Sequence, residues 1–185
     1  VYSYDADGDP ASVLIDVADP GADVYVEYDC DAMGRVTSRR VFEDGPGSSH
    51  RDTTYTYDKM GRLLTETVDP GASPALNLVT SYAYDGFGNL VRHTDPNGVI
   101  TTFAYSARHQ IVEMVVDADP ENVRTGELEL KTTWTRDGNG NVTAVEDPHD
   151  NVTTLDYDRR NRVETVTDAA DYASTFTYDP VGNVL

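Results

Sequence analysis

This chain of 185 residues has a single cysteine, Cys30, and only two lysines, Lys59 and Lys131. One cysteine excludes an internal disulfide. The other strong bases are twelve arginines, so 14 cations face 33 acids and the formal charge is -19. A nucleic-acid interface needs the opposite sign to neutralise phosphate. An anionic membrane surface repels such a chain as well. Nucleic acid is therefore not expected among its partners, nor is direct membrane insertion. Helical periodicity is also scarce. It is hinted at only over 122–131, where Glu127, Glu129 and Lys131 fit strand or loop equally well.

Catalytic signatures are missing too. His50, His93, His109 and His149 are scattered and match no metal-ligand spacing. There is no Gly-x-Ser-x-Gly elbow, no phosphate loop and no zinc-type cysteine pair. Cys30 has no histidine close in sequence to act as a base, and it reads as a small buried filler. The chain is accordingly expected to be no enzyme, with no catalytic residue and no cofactor.

What the sequence does contain is repetition. Tyr55-Thr56-Tyr57-Asp58-Lys59-Met60-Gly61-Arg62-Leu63 returns as Tyr82-Ala83-Tyr84-Asp85-Gly86-Phe87-Gly88-Asn89-Leu90 and as Phe176-Thr177-Tyr178-Asp179-Pro180-Val181-Gly182-Asn183-Val184. The key aspartate falls at Asp5, Asp31, Asp58, Asp85, Asp137, Asp158 and Asp179, and Ser106 fills the slot in a degenerate copy. Those eight copies step by 26, 27, 27, 21, 31, 21 and 21 residues, so the basic unit is 21 residues with insertions. A second mark follows about ten residues on: Asp69-Pro70, Asp95-Pro96, Asp147-Pro148 and Asp168-Ala169. Asp and Gly suit tight turns, Pro ends a strand, and the Thr-, Val- and Tyr-rich runs between them favour strands. Each unit therefore reads as a β-hairpin, and the whole as an antiparallel meander.

Tyr-x-Tyr-Asp-x-x-Gly-Arg-Leu at a step near 21 resembles the YD repeat, also called the RHS repeat, and the resemblance covers the whole chain. Such repeats build large hollow β-shells in bacterial toxin complexes and polymorphic toxins, and a related barrel in teneurins. The resemblance implies an all-β fold of tandem antiparallel β-hairpins forming a continuous curled sheet, part of a β-shell or barrel. It implies a secreted or cell-surface structural segment that encloses or presents a polypeptide cargo such as a toxin, packed against flanking repeats of the same polypeptide. The alternative it offers is an extracellular, teneurin-like fibre or adhesion stalk that binds a protein or glycan. The chain starts within Val1-Tyr2-Ser3-Tyr4 and ends within Val184-Leu185, both strand-like. We read 1–185 as a single array of about eight repeats cut from a longer repeat region.

Several residues stand out. Asp5, Asp7 and Asp9 resemble the first three ligands of a calcium loop, with Asp16 twelfth. Against that reading, the sixth position holds Pro10 where such a loop needs Gly. The many turn carboxylates are expected to keep ordinary pKa values in solvent. Side chains two apart share a strand face, which groups Tyr55 with Tyr57, Trp134 with Arg136, and Phe176 with Tyr178, so the aromatics are expected to stack as a ladder. Arg136 breaks the ladder, and its head is expected in solvent or on a carboxylate. Apolar residues also recur three apart, as in Val142 and Val145. That spacing implies either a β-bulge or apolar contact on both faces. Copy five is the irregular one. It has Ser106 for Asp, His109 for Gly, and a lengthened segment after Asp117, which marks either a binding loop or tolerated drift.

Overall fold

The computed structural model describes residues 2–8, 10–15, 24–42, 49–69, 76–117 and 129–185. Among them there is no helix. The insertions at 45–49 and 70–74, the hint of helix before residue 129, and Asp9 lie largely outside the described residues. The chain forms two compact units: Val1–Ala83 with Thr94–Gly98, and Tyr84–His93 with Val99–Leu185.

In the first unit the strands are β1 (Tyr2–Tyr4), β2 (Pro10–Ile15), β3 (Val24–Cys30), β4 (Val36–Phe42), β5 (His50–Tyr57), β6 (Leu63–Val68) and β7 (Leu78–Tyr84). Each pairs antiparallel with the next. The second unit holds β8 (Leu90–Thr94), β9 (Ile100–Tyr105), β10 (Ile111–Val116), β11 (Leu130–Arg136), β12 (Val142–Glu146), β13 (Val152–Tyr157), β14 (Val163–Thr167) and β15 (Ala173–Thr175). From β9 onward each again pairs antiparallel with the next. An eighth hairpin closes through the Tyr178↔Val184 bridge, with the Leu185 amide donating to the Thr177 carbonyl at 2.9 Å. The expected meander of hairpins is the observed fold.

The three-residue apolar step is resolved as a β-bulge. Arg136 pairs with Val142 but Thr135 pairs with Ala144, so Thr143 is an extra residue. The extra residue restores phase: Val142 and Val145 both face the side that carries Arg136 and Trp134. The same shift separates Cys30↔Val36 from Asp29↔Ser38, Tyr57↔Leu63 from Thr56↔Thr65, and Tyr157↔Val163 from Asp156↔Thr165. On this face an aromatic sits opposite an aliphatic in several hairpins: Tyr57 with Leu63, Tyr105 with Ile111, Tyr157 with Val163. Such cross-strand pairs contribute about 0.2 to 1 kcal/mol each. The residues between column members, such as Thr56, Ala104, Thr135 and Asp156, are exposed and small or polar.

The sheet has little interior. Among the described residues the buried side chains are Val26, Phe42, Ile100 and Thr53. Val26 and Thr53 extend the aromatic columns of β3 and β5. Phe42 packs on Tyr25 and His50 at ring distances of 5.7 and 4.9 Å. From β3 onward the aromatic columns themselves are half-buried. Stability therefore rests on hairpin-to-hairpin contacts repeated along the chain, as in other repeat architectures.

Gly88 and Gly86 give a clean test of the loop backbone. Gly88 has φ of +94°, whereas a Cβ added at Gly86 meets open space and no left-handed angle is required there. Gly88→Ala should lower stability by about 1 to 2 kcal/mol. Gly86→Ala should be neutral or slightly stabilising. Urea unfolding of the two variants side by side checks this, and equal midpoints would contradict the loop geometry.

Candidate functional site

Six described hairpins of the Tyr-Asp type turn through one five-residue loop, built on the aspartate. In the second copy the Gly34 amide donates to the Asp31 carbonyl and the Asp31 amide to the Arg35 carbonyl, both at 2.9 Å. Asp31 Oδ1 accepts the amides of Met33 and Arg35 at 2.9 and 3.1 Å, and Oδ2 accepts Arg35 Nε at 2.8 Å. The same pattern recurs at Asp58, Asp85, Asp137, Asp158 and Asp179, the last partner being Arg62, Asn89, Asn141, Arg162 and Asn183 in turn. The fourth residue is left-handed. It is Gly in most copies, but His109 and Asn161 hold φ of 59° there.

The opposite turns at Asp147 and Asp168 proved to be the same loop. Asp147 Oδ1 accepts the amides of His149 and Asn151 at 2.8 and 3.0 Å, Oδ2 accepts Asn151 Nδ2 at 3.0 Å, and Asp150 is left-handed at 62°. Asp168 repeats this with Asp171 at 64°. Sequence reading treated Asp-Pro as a separate mark. Comparing the fourth positions, Gly with Asp and Asn, would have revealed one motif, since these residue types tolerate the left-handed region best. Pro148 occupies the second position, where its fixed φ suits the turn.

This caging lowers the carboxylate pKa values, contrary to the expectation of ordinary ones. At Asp31, Asp85, Asp137, Asp147 and Asp179 the leading cause is the hydrogen bond from the side chain four residues on. At Asp58 the leading cause is the Arg62 backbone amide. Asp158, held by the Arg162 side chain, is lowered to about 2.

A second contact links copies three, five, six, seven and eight each to the hairpin before it. The β12–β13 ladder begins at Ala144↔Thr154, so Val142 lies past its end. The Tyr157 hydroxyl donates to the Val142 carbonyl there at 2.9 Å. Tyr57 does the same to Val36 at 2.8 Å, Tyr105 to Leu90 at 2.8 Å, and Tyr178 to Val163 at 2.6 Å. Arg136 takes over this role in copy six. Its Nε and Nη2 donate to the Ile111 carbonyl at 3.4 Å, and Nη1 donates to Gly140 at 3.0 Å. Its head thus rests on backbone carbonyls, not in solvent or on a carboxylate. The aromatic ladder also departs from stacked rings. Arg35 lies over the Tyr57 ring at 4.7 Å and Arg162 over Tyr178 at 4.3 Å.

The calcium candidate behaves as an ordinary loop where it is described: Asp5 Oδ1 accepts the Asp7 amide at 3.0 Å, and Asp9 is outside the described residues. Among the described residues no three His, Cys, Asp or Glu side chains converge as a metal cage. Copy five does shape a groove. Asp85, Phe87, Asn89, Tyr105, Ser106, Ala107 and His109 line about 390 Å³ between its loop and the preceding one. Ser106 has one oxygen where aspartate has two, and it accepts the Arg108 and Gln110 amides at 3.2 and 3.3 Å. The Gln110 side chain instead reaches forward to the Gly140 carbonyl at 3.4 Å. Arg108 likewise donates to the Gly138 carbonyl.

The RHS Repeat family profile matches residues 73–99, 84–121 and 136–173, spanning the caged loops and bulged hairpins of copies four to seven. Over those residues the chain carries RHS repeats. Solved structures share the fold. TcdB2-TccC3 without its hypervariable C-terminal region matches all of this chain over 10% of its own, at TM-score 0.74 and 14% identity. A TcdB2-TccC3 crystal structure matches at TM-score 0.54 and 15% identity, covering 100% of this chain and 11% of its own. A Photorhabdus luminescens Tc holotoxin pore matches at TM-score 0.54 and 16% identity, with the same coverage of 100% and 11%. At such identities the likeness shows the fold, and this RHS segment spans about a tenth of those chains. Comparison with curated proteins gives no match.

Two predictions follow from the RHS loop geometry. Arg136→Ala strands the Ile111 carbonyl and should cost about 1 to 3 kcal/mol. Arg136→Tyr, which returns the hydroxyl used in other repeats, should stay within about 1 kcal/mol of the parent. Urea midpoints of both variants check this. The lowered aspartates also set an acid response. Their stabilisation is fully present above the unfolded carboxylate pKa near 3.8 and is lost as pH falls through the folded values, about 2 for Asp158. Thermal midpoints should therefore hold above pH 5 and fall between about pH 4 and 2. A flat profile through that window would mean the cages are not formed in solution.

Proposed function

We propose that this run of RHS repeats is a wall segment of a large, non-enzymatic β-shell, secreted or at the cell surface, that encloses a polypeptide cargo such as a toxin. One observation carries the reading: the whole chain superposes on the TcdB2-TccC3 fold at TM-score 0.74. The architecture supports it. Hairpins add side by side without building a closed core, as a wall one sheet thick requires. A long sheet must then curl, close or pair with more chain to protect its edges. The shell acts by topology, denying its cargo room to fold or reach a target until release. Residues 1–185 would serve as one part of a longer array, packed against flanking repeats.

Cryo-electron microscopy of the intact protein tests this together with limited proteolysis. A closed hollow particle, with a segment protected from protease until the wall is breached, is the expected result. An extended rod with no protected segment would overturn the shell in favour of a surface fibre or adhesion stalk.

A further inference from the structure

We propose that the groove between the loops of copies four and five is a receptor for a guanidinium group, the arginine side chain of a polypeptide. The protein itself shows what belongs in this position. Between copies two and three, Arg35 lies 4.7 Å from the Tyr57 ring centre, with Nε 2.8 Å from Asp31 Oδ2 and Nη1 donating to the Asp58 carbonyl at 3.3 Å. Between copies seven and eight, Arg162 lies 4.3 Å over Tyr178, with Nε 2.7 Å from Asp158 Oδ2 and Nη1 3.5 Å from the Asp179 carbonyl. A ring face, a carboxylate and a loop carbonyl make one guanidinium slot, filled in both cases by the residue four after the aspartate.

Copies four and five keep the slot and lose its occupant. Asp85 supplies the carboxylate, Tyr105 the ring and Ser106 the loop carbonyl, but the fourth residue on is Asn89. Its Nδ2 reaches Asp85 Oδ2 at 2.7 Å and His109 Nδ1 at 3.0 Å, and the short side chain ends there. The groove of about 390 Å³ lies over these residues, with Phe87 and His109 as an edge-on aromatic wall 5.1 Å apart. Phe87 is 83% exposed. The joint between copies six and seven also lacks the arginine, since the residue four after Asp137 is Asn141, but there Asn139 and Asn141 both donate to Asn161 Oδ1, at 3.0 and 2.9 Å, and join the loops across the gap. A planar guanidinium suits the slot better than an ammonium, because it stacks on a ring while donating in a fork. The net charge of -19 draws cations toward it. The inference stands apart from the shell reading, since binding at the groove is read directly.

The test is an NMR titration of the chain with Nα-acetyl-L-arginine amide, with the matching lysine amide as comparison. Saturable shifts at Phe87, Tyr105 and His109, stronger for arginine than lysine, are expected. Asn89→Arg fills the slot from within and should weaken binding by about tenfold or more while raising the melting temperature. Arg162→Asn should open a second slot and add a saturable response at Tyr178. The proposal is overturned by no saturable shift in the parent, by equal shifts at every loop, or by unchanged binding in Asn89→Arg together with no new response in Arg162→Asn.

Discussion

The structure depends on one aspartate carboxylate accepting two backbone amides of its own loop. Asp58 shows the arrangement: Oδ1 takes the amides of Met60 and Arg62 at 2.8 and 2.9 Å, and Oδ2 takes Arg62 Nε at 2.7 Å. Amides that would otherwise lack partners in a tight reversal are satisfied at no cost in length. The loop then needs one left-handed residue, and that residue sets the hairpin register. Because the same cage works at both ends of the strands from β12 to β15, a single piece of local chemistry folds that part of the chain back on itself again and again.

The next constraint is between hairpins. Each bulge bends its strand, so neighbouring hairpins part near the Tyr-Asp loops and leave a carbonyl beyond the ladder. In four copies the second tyrosine, Tyr57, Tyr105, Tyr157 or Tyr178, covers its ring against an aliphatic partner and sends its hydroxyl to that carbonyl. This explains why the position is tyrosine and not phenylalanine. It also explains how Arg136 replaces it, since a guanidinium donates to the same Ile111 oxygen. The proposed shell function draws on this property. A wall that grows by one hairpin at a time needs every joint to be made by the same few atoms.

Variation is concentrated where a joint is remade. Ser106 gives up the second carboxylate oxygen, Gln110 turns to the next loop, and Asn89 is too short to cover Tyr105. These three changes lie together in space though spread along the chain. Copy five was visible as irregular from Ser106 and His109 alone. The groove was not, because it depends equally on Asn89, which looks regular beside Asn141 and Asn183.

The sequence by itself determined the hairpins, their order and their turns, because Asp-x-x-Gly and the strand propensities around it act over a few neighbouring residues. Spacing carried that information without any knowledge of packing. It left open why Val142 and Val145 stand three apart, since a bulge and a two-faced strand share that spacing until the register with β11 is known. It misjudged the aspartate pKa values, because exposure to solvent suggested ordinary ones while the amides that cage each carboxylate come from the folded loop. It also misplaced Arg136, whose partners Ile111 and Gly140 become neighbours only when strands lie side by side. Tertiary structure decided these points because each is a contact between groups separated along the chain, and local propensity is blind to them.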